Sequence, residues 1–204
     1  MKIAIINYGM GNLASVHKAF QDIGSNPYIA DHPDDLQESD RIVLPGVGAF
    51  SEGMQRLIEH NWVDAFHKAV SQGKPILGIC LGMQMLASVG EEGGDNAGLG
   101  IIPGKVRRLD TIGCSFRIPH VGWNEVNYTE ENSLFNEIPD HSDFYFVHSF
   151  AYQLENKKHL VATVSYDVDF PVVIKKENVI GCQFHPEKSS KAGRKLLKNF
   201  LELS

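Results

Sequence analysis

Buried-strand patterns and amphipathic helix patterns alternate through the first half of the chain. Lys2–Ile6 is a continuous apolar run, which is typical of a strand buried on both faces. After a glycine-rich turn, apolar residues recur at helical spacing from Leu13 to Ile23 and predict a helix that ends at Gly24. The pattern continues with predicted strands at Pro27–Ala30, Arg41–Leu44 and Pro75–Ile79, one or two helices between residues 54 and 70, and a helix over Met83–Val89. This alternation predicts a parallel sheet with right-handed crossovers.

Short strand patterns dominate the second half. Apolar segments separated by turn residues predict strands at Val106, Phe116–Val126, Phe144–Val147, Leu160–Val164, Val172–Ile174 and Val179–Phe184. Asn178 predicts a hairpin turn, and a last helix with one apolar face runs from Ala192 to Leu201. Since no repeat or linker divides the chain, we expect one α/β domain over residues 1–204. Its predicted fold is a mostly parallel open sheet flanked by helices, with an antiparallel extension.

Composition and charge argue against several classes of protein. The chain has 204 residues, of which 43% are hydrophobic and 22% charged, a normal balance for a globular protein. Its formal net charge of −6 argues against a nucleic-acid partner or an anionic membrane, because both require a basic surface. No apolar run approaches the roughly 18–20 residues of a membrane span, and the N-terminus lacks a signal-peptide core. A cytoplasmic location is therefore expected.

Cys80 lies on the most informative segment, GICLG at residues 78–82. Only three widely spaced cysteines are present, which predicts neither a disulfide framework nor a zinc site. Gly78 and Gly82 flank Cys80 with the spacing of a nucleophile elbow, the tight strand-to-helix turn of G-x-S-x-G enzymes. There a helix N-terminus favours a thiolate, and the free N–H of Leu81 would point at a neighbouring oxyanion. The alternative is a buried structural cysteine beside two turn glycines.

A second polar segment, His185-Pro186-Glu187, follows the last predicted strand. Residues two apart in extended backbone face the same side, and Pro186 favours an extended conformation at His185. Glu187 could then orient the imidazole, as the acid of a nucleophile–base–acid triad does. Cys80 and His185 both follow predicted strands, and the carboxyl ends of parallel strands share one edge of a sheet. Taken alone, the segment is more typical of a solvated histidine and a surface glutamate, and a metal site is a further but poor alternative.

The two segments together resemble the class I glutamine amidotransferases, which combine an elbow cysteine with an H-x-E pair. Further segments are similar to the glutaminase subunits of imidazole glycerol phosphate synthases: NYGMGNLASV at 7–16, LPGVGAF at 44–50, PHVGWN at 119–124, YFVHSF at 145–150 and the final HPEKSSKAGRKLLKNFL. The resemblance runs from Lys2 to about Leu201. It implies the flavodoxin-like fold of that family, L-glutamine as substrate, and neither a metal nor an organic cofactor. It also implies a heterodimer with a (β/α)₈ barrel synthase subunit, which would use the ammonia to make imidazole glycerol phosphate and an aminoimidazole carboxamide ribonucleotide.

The resemblance further implies a role for each matching residue. Cys80 would attack the glutamine carboxamide and form a glutamyl thioester, His185 would deliver a proton to the leaving ammonia, and Glu187 would orient His185. Further implied positions are the oxyanion residues Gly46, Val47 and Leu81, the substrate-binding residues Gly48, Gln84, His148, Ser149 and Phe150, and the partner-interface residues Asn12, His120, Trp123, Asn124, Tyr145 and Lys188. The Gly46–Val47 peptide would flip to bring the Val47 N–H to the oxyanion. Position 150 departs from the family's commoner tyrosine, so any hydroxyl contact there is lost.

Three other functions are compatible with parts of the pattern. The chain could be a glutaminase for another synthase, for example in pyridoxal phosphate or tryptophan formation, although PHVGWN argues against this. It could be a redox sensor that uses Cys80 without a glutamine pocket. It could also be a non-catalytic docking subunit, which the complete Cys-His-Glu set argues against. The combination of the elbow cysteine with H-P-E favours the glutaminase hypothesis.

Overall fold

The computed structural model describes residues 1–128 and 132–203 of the chain. This part contains two β-sheets and five α-helices. The helices are α1 (Leu13–Asp22), α2 (Phe50–Glu59), α3 (Trp62–Ser71), α4 (Leu81–Gln84) and α5 (Ser190–Glu202). The strands are β1 (Lys2–Ile6), β2 (Asn26–Ala30), β3 (Arg41–Gly46), β4 (Ile76–Cys80), β5 (Val89–Gly90), β6 (Asn96–Ala97), β7 (Gly104–Arg108), β8 (His120–Tyr128), β9 (Ser142–His148), β10 (Phe150–Leu154), β11 (Leu160–Tyr166), β12 (Val168–Lys176) and β13 (Val179–Cys182). Short 3₁₀ turns lie at Pro33–Glu38, Leu109–Ile112, Ser133–Phe135, Lys157–His159 and Pro186–Lys188.

The larger sheet has nine strands in the order β2-β1-β3-β4-β13-β12-β11-β8-β9. The strands from β2 to β13 pair in parallel, and those from β13 to β9 pair antiparallel. This arrangement confirms the predicted mostly parallel sheet with an antiparallel extension, and the parallel part has the flavodoxin-like order. Strand β4 lies between β3 and β13, with Gly46 opposite Cys80 and Cys182 opposite Ile79. The carboxyl ends of these three strands therefore meet.

Both faces are buried in the inner parallel strands β1, β3, β4 and β13, which explains their largely apolar sequences. In β1, Ile3 and Ile5 belong to the core that includes Phe20 of α1 and Phe200 of α5. Their neighbours Ala4 and Ile6 belong to the core on the other face, together with residues of α2 and α3. Because successive side chains of a strand point to opposite faces, consecutive positions in the middle of such a strand are apolar. This double burial holds the carboxyl ends of the strands in a fixed position.

The predicted helix over Met83–Val89 is wrong, since α4 ends at Gln84 and Val89 begins β5. The carbonyl oxygens of Met85, Leu86 and Ala87 accept hydrogen bonds from residues 99–102 instead of continuing a helical ladder. All three side chains are buried, and the path of this segment depends on bonds from residues more than ten positions away, which local periodicity does not reveal. The strand predicted at Phe116–Val126 begins only at His120. The second sheet, in the order β10-β7-β5-β6, was not predicted, apart from a strand at Val106.

Candidate active site

Cys80 ends β4 and directly precedes α4, at a sharp turn of the backbone. Its φ of 54° and ψ of −108° lie in a region that side-chain-bearing residues rarely adopt. The flanking glycines are required by close packing. A Cβ at Gly82 would overlap the carbonyl oxygen of Leu44, and one at Gly78 would come within 2.7 Å of the carbonyl oxygen of Gly82. The strand-to-turn geometry predicted for GICLG is therefore present, and it holds the thiol in a strained position.

The sulfur of Cys80 lies in a partly polar environment, although the residue is 7% exposed. The Nε2 of Gln183 donates to Sγ at 3.7 Å, and Sγ lies 4.0 Å from the carbonyl oxygen of Val147. Neither contact partner was predicted. Gln183 lies two residues before His185 within the strand predicted at Val179–Phe184, so the same-face rule applied to His185 and Glu187 would also have identified Gln183.

His185 and Glu187 are paired and almost completely buried. The Nδ1 of His185 lies 2.8 Å from Oε1 of Glu187, and their side chains are 3% and 1% exposed. The two residues do not share an extended strand end as predicted, because β13 ends at Cys182 and Pro186–Lys188 forms a 3₁₀ turn. The proline begins this turn at a position that requires no N–H donor. The turn brings the carboxylate back towards the ring, so the pair forms through a different backbone path.

The environment of His185 favours its protonated form. Burial lowers the pKa of His185, but interactions with Cys80 and Glu187 raise it, and the net result is a pKa of about 9. The fold brings Cys80 next to the segment that carries this ring, since Ile79 pairs with Cys182 and the Gln183 amide contacts Sγ. Nε2 nevertheless has no aligned hydrogen-bond partner within the described residues. Catalytic hydrogen bonds are often poorly aligned before substrate binds, so this geometry is compatible with proton transfer.

The thiol of Cys80 faces a cavity of about 430 Å³ that contains all five residues predicted to bind substrate. Its lining residues are Val47, Gly48, Cys80, Leu81, Gln84, Glu92, Pro119, Val147, His148, Ser149 and Phe150. A larger cavity of about 690 Å³ lies beside the end of α5, but its described lining has neither cysteine nor histidine. The smaller cavity is therefore the better candidate for the active site, because its lining includes a cysteine and a histidine. Glu92 was missed by the sequence analysis because it lies just before Gly93 and Gly94 with no local motif around it, and a hydrogen bond from the Phe50 N–H at 2.8 Å holds it at the site.

The predicted oxyanion residues lie on both sides of Cys80. Gly46 pairs with Cys80 across β3 and β4, and Val47 and Gly48 follow it into the cavity lining. Leu81 is the first residue of α4, so its N–H precedes the first hydrogen bond within that helix. A Cβ at Gly46 would overlap the hydroxyl of buried Tyr8, so this position requires glycine.

Gln84 connects the cavity wall to the sulfur. Its Nε2 donates to the carbonyl oxygen of Phe150 at 3.2 Å and to Oε1 of Gln183 at 3.0 Å. Gln183 in turn donates to Sγ of Cys80. Both partners of the Gln84 nitrogen are acceptors, which fixes the orientation of this buried amide. The amide oxygen of Gln84 is thus left to accept a hydrogen bond from a ligand.

Aromatic and charged side chains predicted at a partner interface cluster on the outer face of β8 and β9. Trp123 is 52% exposed, and its ring centroid lies 6.0 Å from that of Tyr145. The Nζ of Lys188 lies 5.9 Å from the centroid of the Tyr145 ring. Val121 and Val147 pair across the two strands and are also exposed. This exposed apolar cluster is a suitable surface for a protein partner.

The remaining predicted interface residues lie in different surroundings. Asn12 is exposed and caps α1, with Oδ1 accepting from the N–H of Ser15 at 3.2 Å. Asn124 is half-buried. His120 is only 3% exposed and stacks on Tyr166 with 4.1 Å between ring centroids. The pleat of β8 turns the His120 side chain to the inner face, so it is not on the exposed surface that carries Trp123, and its role at an interface stays a prediction.

The structure also bears on metals and membranes. Within residues 1–128 and 132–203, no group of three or more histidine, cysteine or acidic side chains is arranged to hold a metal ion. Over the same part of the chain, no helix combines the length and the apolar character needed to cross a membrane.

An elbow cysteine on this sheet order, together with a buried His–Glu pair, defines a class of protein, the class I glutamine amidotransferases. The sequence model of that family, described as glutamine amidotransferase class-I, matches residues 4–203. The chain therefore belongs to this family.

Among its relatives, the imidazole glycerol phosphate synthase subunit HisH of Moorella thermoacetica is 45% identical over 98% of this chain and 94% of the relative. The protein of the same name from Desulfitobacterium hafniense is 46% identical over 97% of this chain and 92% of the relative. The solved structure of PurLQS from Thermotoga maritima has a TM-score of 0.78 at 20% identity and covers 98% of this chain and 97% of that chain, which shows the shared fold.

Proposed function

We propose that this chain is the glutaminase subunit of an imidazole glycerol phosphate synthase and acts in histidine biosynthesis. The observation that carries the proposal is the position of Cys80, on a strained turn beside the buried His185–Glu187 pair and facing a cavity suited to a small substrate. Relatives named as HisH subunits match nearly the whole length, which supports this particular synthase. We also propose a single amidotransferase domain over residues 1–204.

In the proposed reaction, the Cys80 thiolate attacks the side-chain carbonyl carbon of L-glutamine. The N–H groups of Leu81 and, after a flip of its peptide, Val47 stabilise the resulting oxyanion. His185 gives its proton to the departing nitrogen, so that the C–N bond breaks and ammonia and a glutamyl thioester form. Water then attacks the thioester while His185 takes up its proton, which releases glutamate and restores the thiolate.

The cavity offers complementary groups for the rest of the glutamine molecule. Glu92 is the one acidic residue in the described lining, and Oε2 already accepts the Phe50 N–H, which holds the carboxylate in place. It would bind the α-ammonium group of the substrate. The free amide oxygen of Gln84 would accept an N–H of the substrate. Backbone groups around His148, Ser149 and Phe150 would bind the α-carboxylate, a role that does not depend on the side chain at position 150.

The proposed partner is the synthase subunit, a (β/α)₈ barrel, bound to the surface that carries Trp123, Tyr145 and Lys188. The backbone of Tyr145 on this surface is hydrogen-bonded to the backbone of the proposed base, His185. The backbone N–H of His185 donates to the Tyr145 carbonyl oxygen at 3.0 Å. The Ser189 hydroxyl accepts from the backbone N–H of Tyr145 and donates to the His185 carbonyl oxygen. Docking at Tyr145 would therefore act on the segment that holds His185. Ammonia would pass directly to the partner, because free ammonia is mostly protonated and non-nucleophilic at neutral pH.

Replacing the proposed nucleophile tests this function. In the complex with the synthase, Cys80→Ala should abolish glutamine-dependent synthesis and leave ammonia-dependent synthesis unchanged. Cys114→Ala is the matched control, because Cys114 is equally buried but lies outside the cavity lining. Loss of both activities in Cys80→Ala would indicate a structural role, and full glutamine-dependent synthesis would exclude the proposed nucleophile.

A further inference from the structure

Four residues form a hydrogen-bonded path beneath the exposed cluster of β8 and β9. The Nδ2 of Asn124 lies 3.4 Å from Nε2 of His120, whose Nδ1 lies 3.0 Å from Nε2 of His148. The Nδ1 of His148 lies 2.8 Å from the carbonyl oxygen of Phe150. Asn124 and exposed Trp123 line one surface cavity, and Phe150 lines the cavity at Cys80. The path therefore runs from the docking surface to the proposed substrate site.

Both histidines are buried and neutral. His120 and His148 are 3% and 6% exposed and lie among the rings of Phe146, Tyr166 and Phe170. Burial lowers the pKa of His120 to about 4. Burial also lowers the pKa of His148 to about 3, against a smaller opposing contribution from the Phe150 carbonyl. Each ring therefore carries one N–H donor and one acceptor nitrogen at neutral pH.

The direction of the path follows from the carbonyl at its end. Because a carbonyl oxygen only accepts, Nδ1 of His148 must carry the proton and Nε2 must be the acceptor. The Nδ1 of His120 must then donate to His148, and Nε2 of His120 must accept from the Asn124 amide. The orientation of that amide is fixed independently, since Nδ2 also donates to the Ser165 carbonyl oxygen at 3.1 Å. Every donor in the path thus points towards the cavity.

We propose that Asn124, His120 and His148 form a positioning relay that holds the Phe150 carbonyl in place and connects the docking surface to the glutamine pocket. The same carbonyl oxygen accepts from Gln84, which is bonded through Gln183 to Cys80. His120 is central to the relay but lies outside the cavity lining, so it acts through His148. The kinetic part of this inference rests on the proposed glutaminase function, whereas the tautomers do not.

The tautomers can be measured without any activity. In a chain labelled with ¹⁵N-histidine, long-range ¹H–¹⁵N correlation at about pH 8 should show His120 and His148 both protonated at Nδ1. His17 supplies an internal reference, because its Nε2 faces the Pro27 carbonyl oxygen and should carry the proton. The Nδ1–H form is the minor neutral tautomer of free histidine, so finding it at two sites is diagnostic. A proton on Nε2 of His148 would overturn the relay.

Two substitutions at one position separate hydrogen bonding from packing. His120→Phe keeps an aromatic ring between Phe146 and Tyr166 but removes the donor to His148. We expect KM for glutamine to rise roughly tenfold while kcat changes by less than about threefold, because a buried acceptor loses its partner but Cys80 and His185 are untouched. His120→Asn restores a donor near Nδ1 and should recover most of the loss.

The control is His159→Phe, which removes a similar half-buried bond between a histidine Nδ1 and the Lys175 carbonyl oxygen outside the cavity lining. KM should stay at the wild-type value. An unchanged KM in His120→Phe, or an equal increase in His120→Phe and His120→Asn, would overturn the positioning role. Absence of glutaminase activity in the wild-type complex would instead refute the proposed function, and the tautomer measurement would still decide the relay.

Discussion

The parallel part of the large sheet and its antiparallel extension meet at the active site but differ in how they are buried. Strands β3, β4 and β13 are buried along their entire length, and β4 ends at Cys80. Strands β8 and β9 are buried on one face, while the other face exposes Val121 and Trp123. The proposed nucleophile therefore lies on the part that is locked by two cores. The antiparallel extension, whose exposed face is accessible to a partner, lies next to the parallel part. It is hydrogen-bonded to the backbone of His185 through Tyr145.

This difference predicts that changes in the two parts have different effects. Substitutions at the ends of the parallel strands should remove catalysis or stability even without a partner. Substitutions on the exposed face of β8 and β9 should affect association and leave the isolated chain intact.

Glu187→Gln should reduce catalysis more than Gly82→Ala or Trp123→Ala. The variant keeps the shape of the side chain but removes the charge that raises the pKa of His185. We expect kcat to fall roughly 10³-fold, by analogy with loss of the acid in other triads, with little change in KM. Steady-state glutaminase kinetics of the complex measure this. A decrease of less than threefold would show that Glu187 does not orient the base.

The same variant should change how stability depends on pH. Because the folded-state pKa of His185 is about 9, its pairing contributes fully below the unfolded-state value of about 6.5 and is lost as the pH rises through about 9. The difference in unfolding free energy between wild type and Glu187→Gln should thus be greatest near about pH 6 and shrink towards about pH 10. Urea unfolding across this range tests the sign, and a difference that grows with pH would contradict it.

Gly82→Ala should destabilise the parallel part by about 3 kcal/mol, since the added Cβ overlaps the Leu44 carbonyl oxygen in the adjacent strand. Gly24→Ala is the control, because it has a φ of +84° but no atom within 4 Å of the added Cβ. It should cost only about 1 kcal/mol of backbone strain. Equal losses in chemical denaturation would show that close packing of the elbow is unimportant.

Trp123→Ala should weaken partner binding by about 2 kcal/mol, or roughly 30-fold in Kd, because exposed aromatic anchors dominate many interfaces. The free energy of unfolding of the isolated chain should change by less than about 0.5 kcal/mol. Ile58→Ala removes an exposed apolar side chain of α2, 61% exposed, and should leave binding unchanged. Calorimetric titration with the synthase measures both, and unaltered binding in Trp123→Ala would place the interface elsewhere.

The sequence predicted those features that depend on local pattern. The elbow at residues 78–82 was recognisable because its glycines are required by contacts within a few residues and with one adjacent strand. The buried strands were recognisable from continuous apolar runs. The 3₁₀ turn at Pro186–Lys188 was not predicted, although the pairing of His185 with Glu187 was.

Features that depend on long-range contacts were missed or misplaced. Glu92 reaches the cavity through a bond to Phe50, 42 residues away, and no local pattern marks it. The burial of His120 depends on the pairing of β8 with β9 and on rings from later strands. The helix assigned to Met83–Val89 is replaced by a segment whose carbonyl oxygens at Met85, Leu86 and Ala87 bond to residues 99–102, which a local pattern does not reveal. These features require the tertiary fold to be known.

The most direct test of the central claim is to map the covalent adduct formed by a glutamine-analogue electrophile, such as a diazoketone. Peptide mass spectrometry of the treated wild-type complex should locate one adduct, on Cys80, and excess L-glutamine should prevent it. Cys114→Ala should be labelled like the wild type, and Cys80→Ala should remain unlabelled. Labelling at Cys114 or Cys182, or labelling of Cys80 that glutamine does not prevent, would contradict the account.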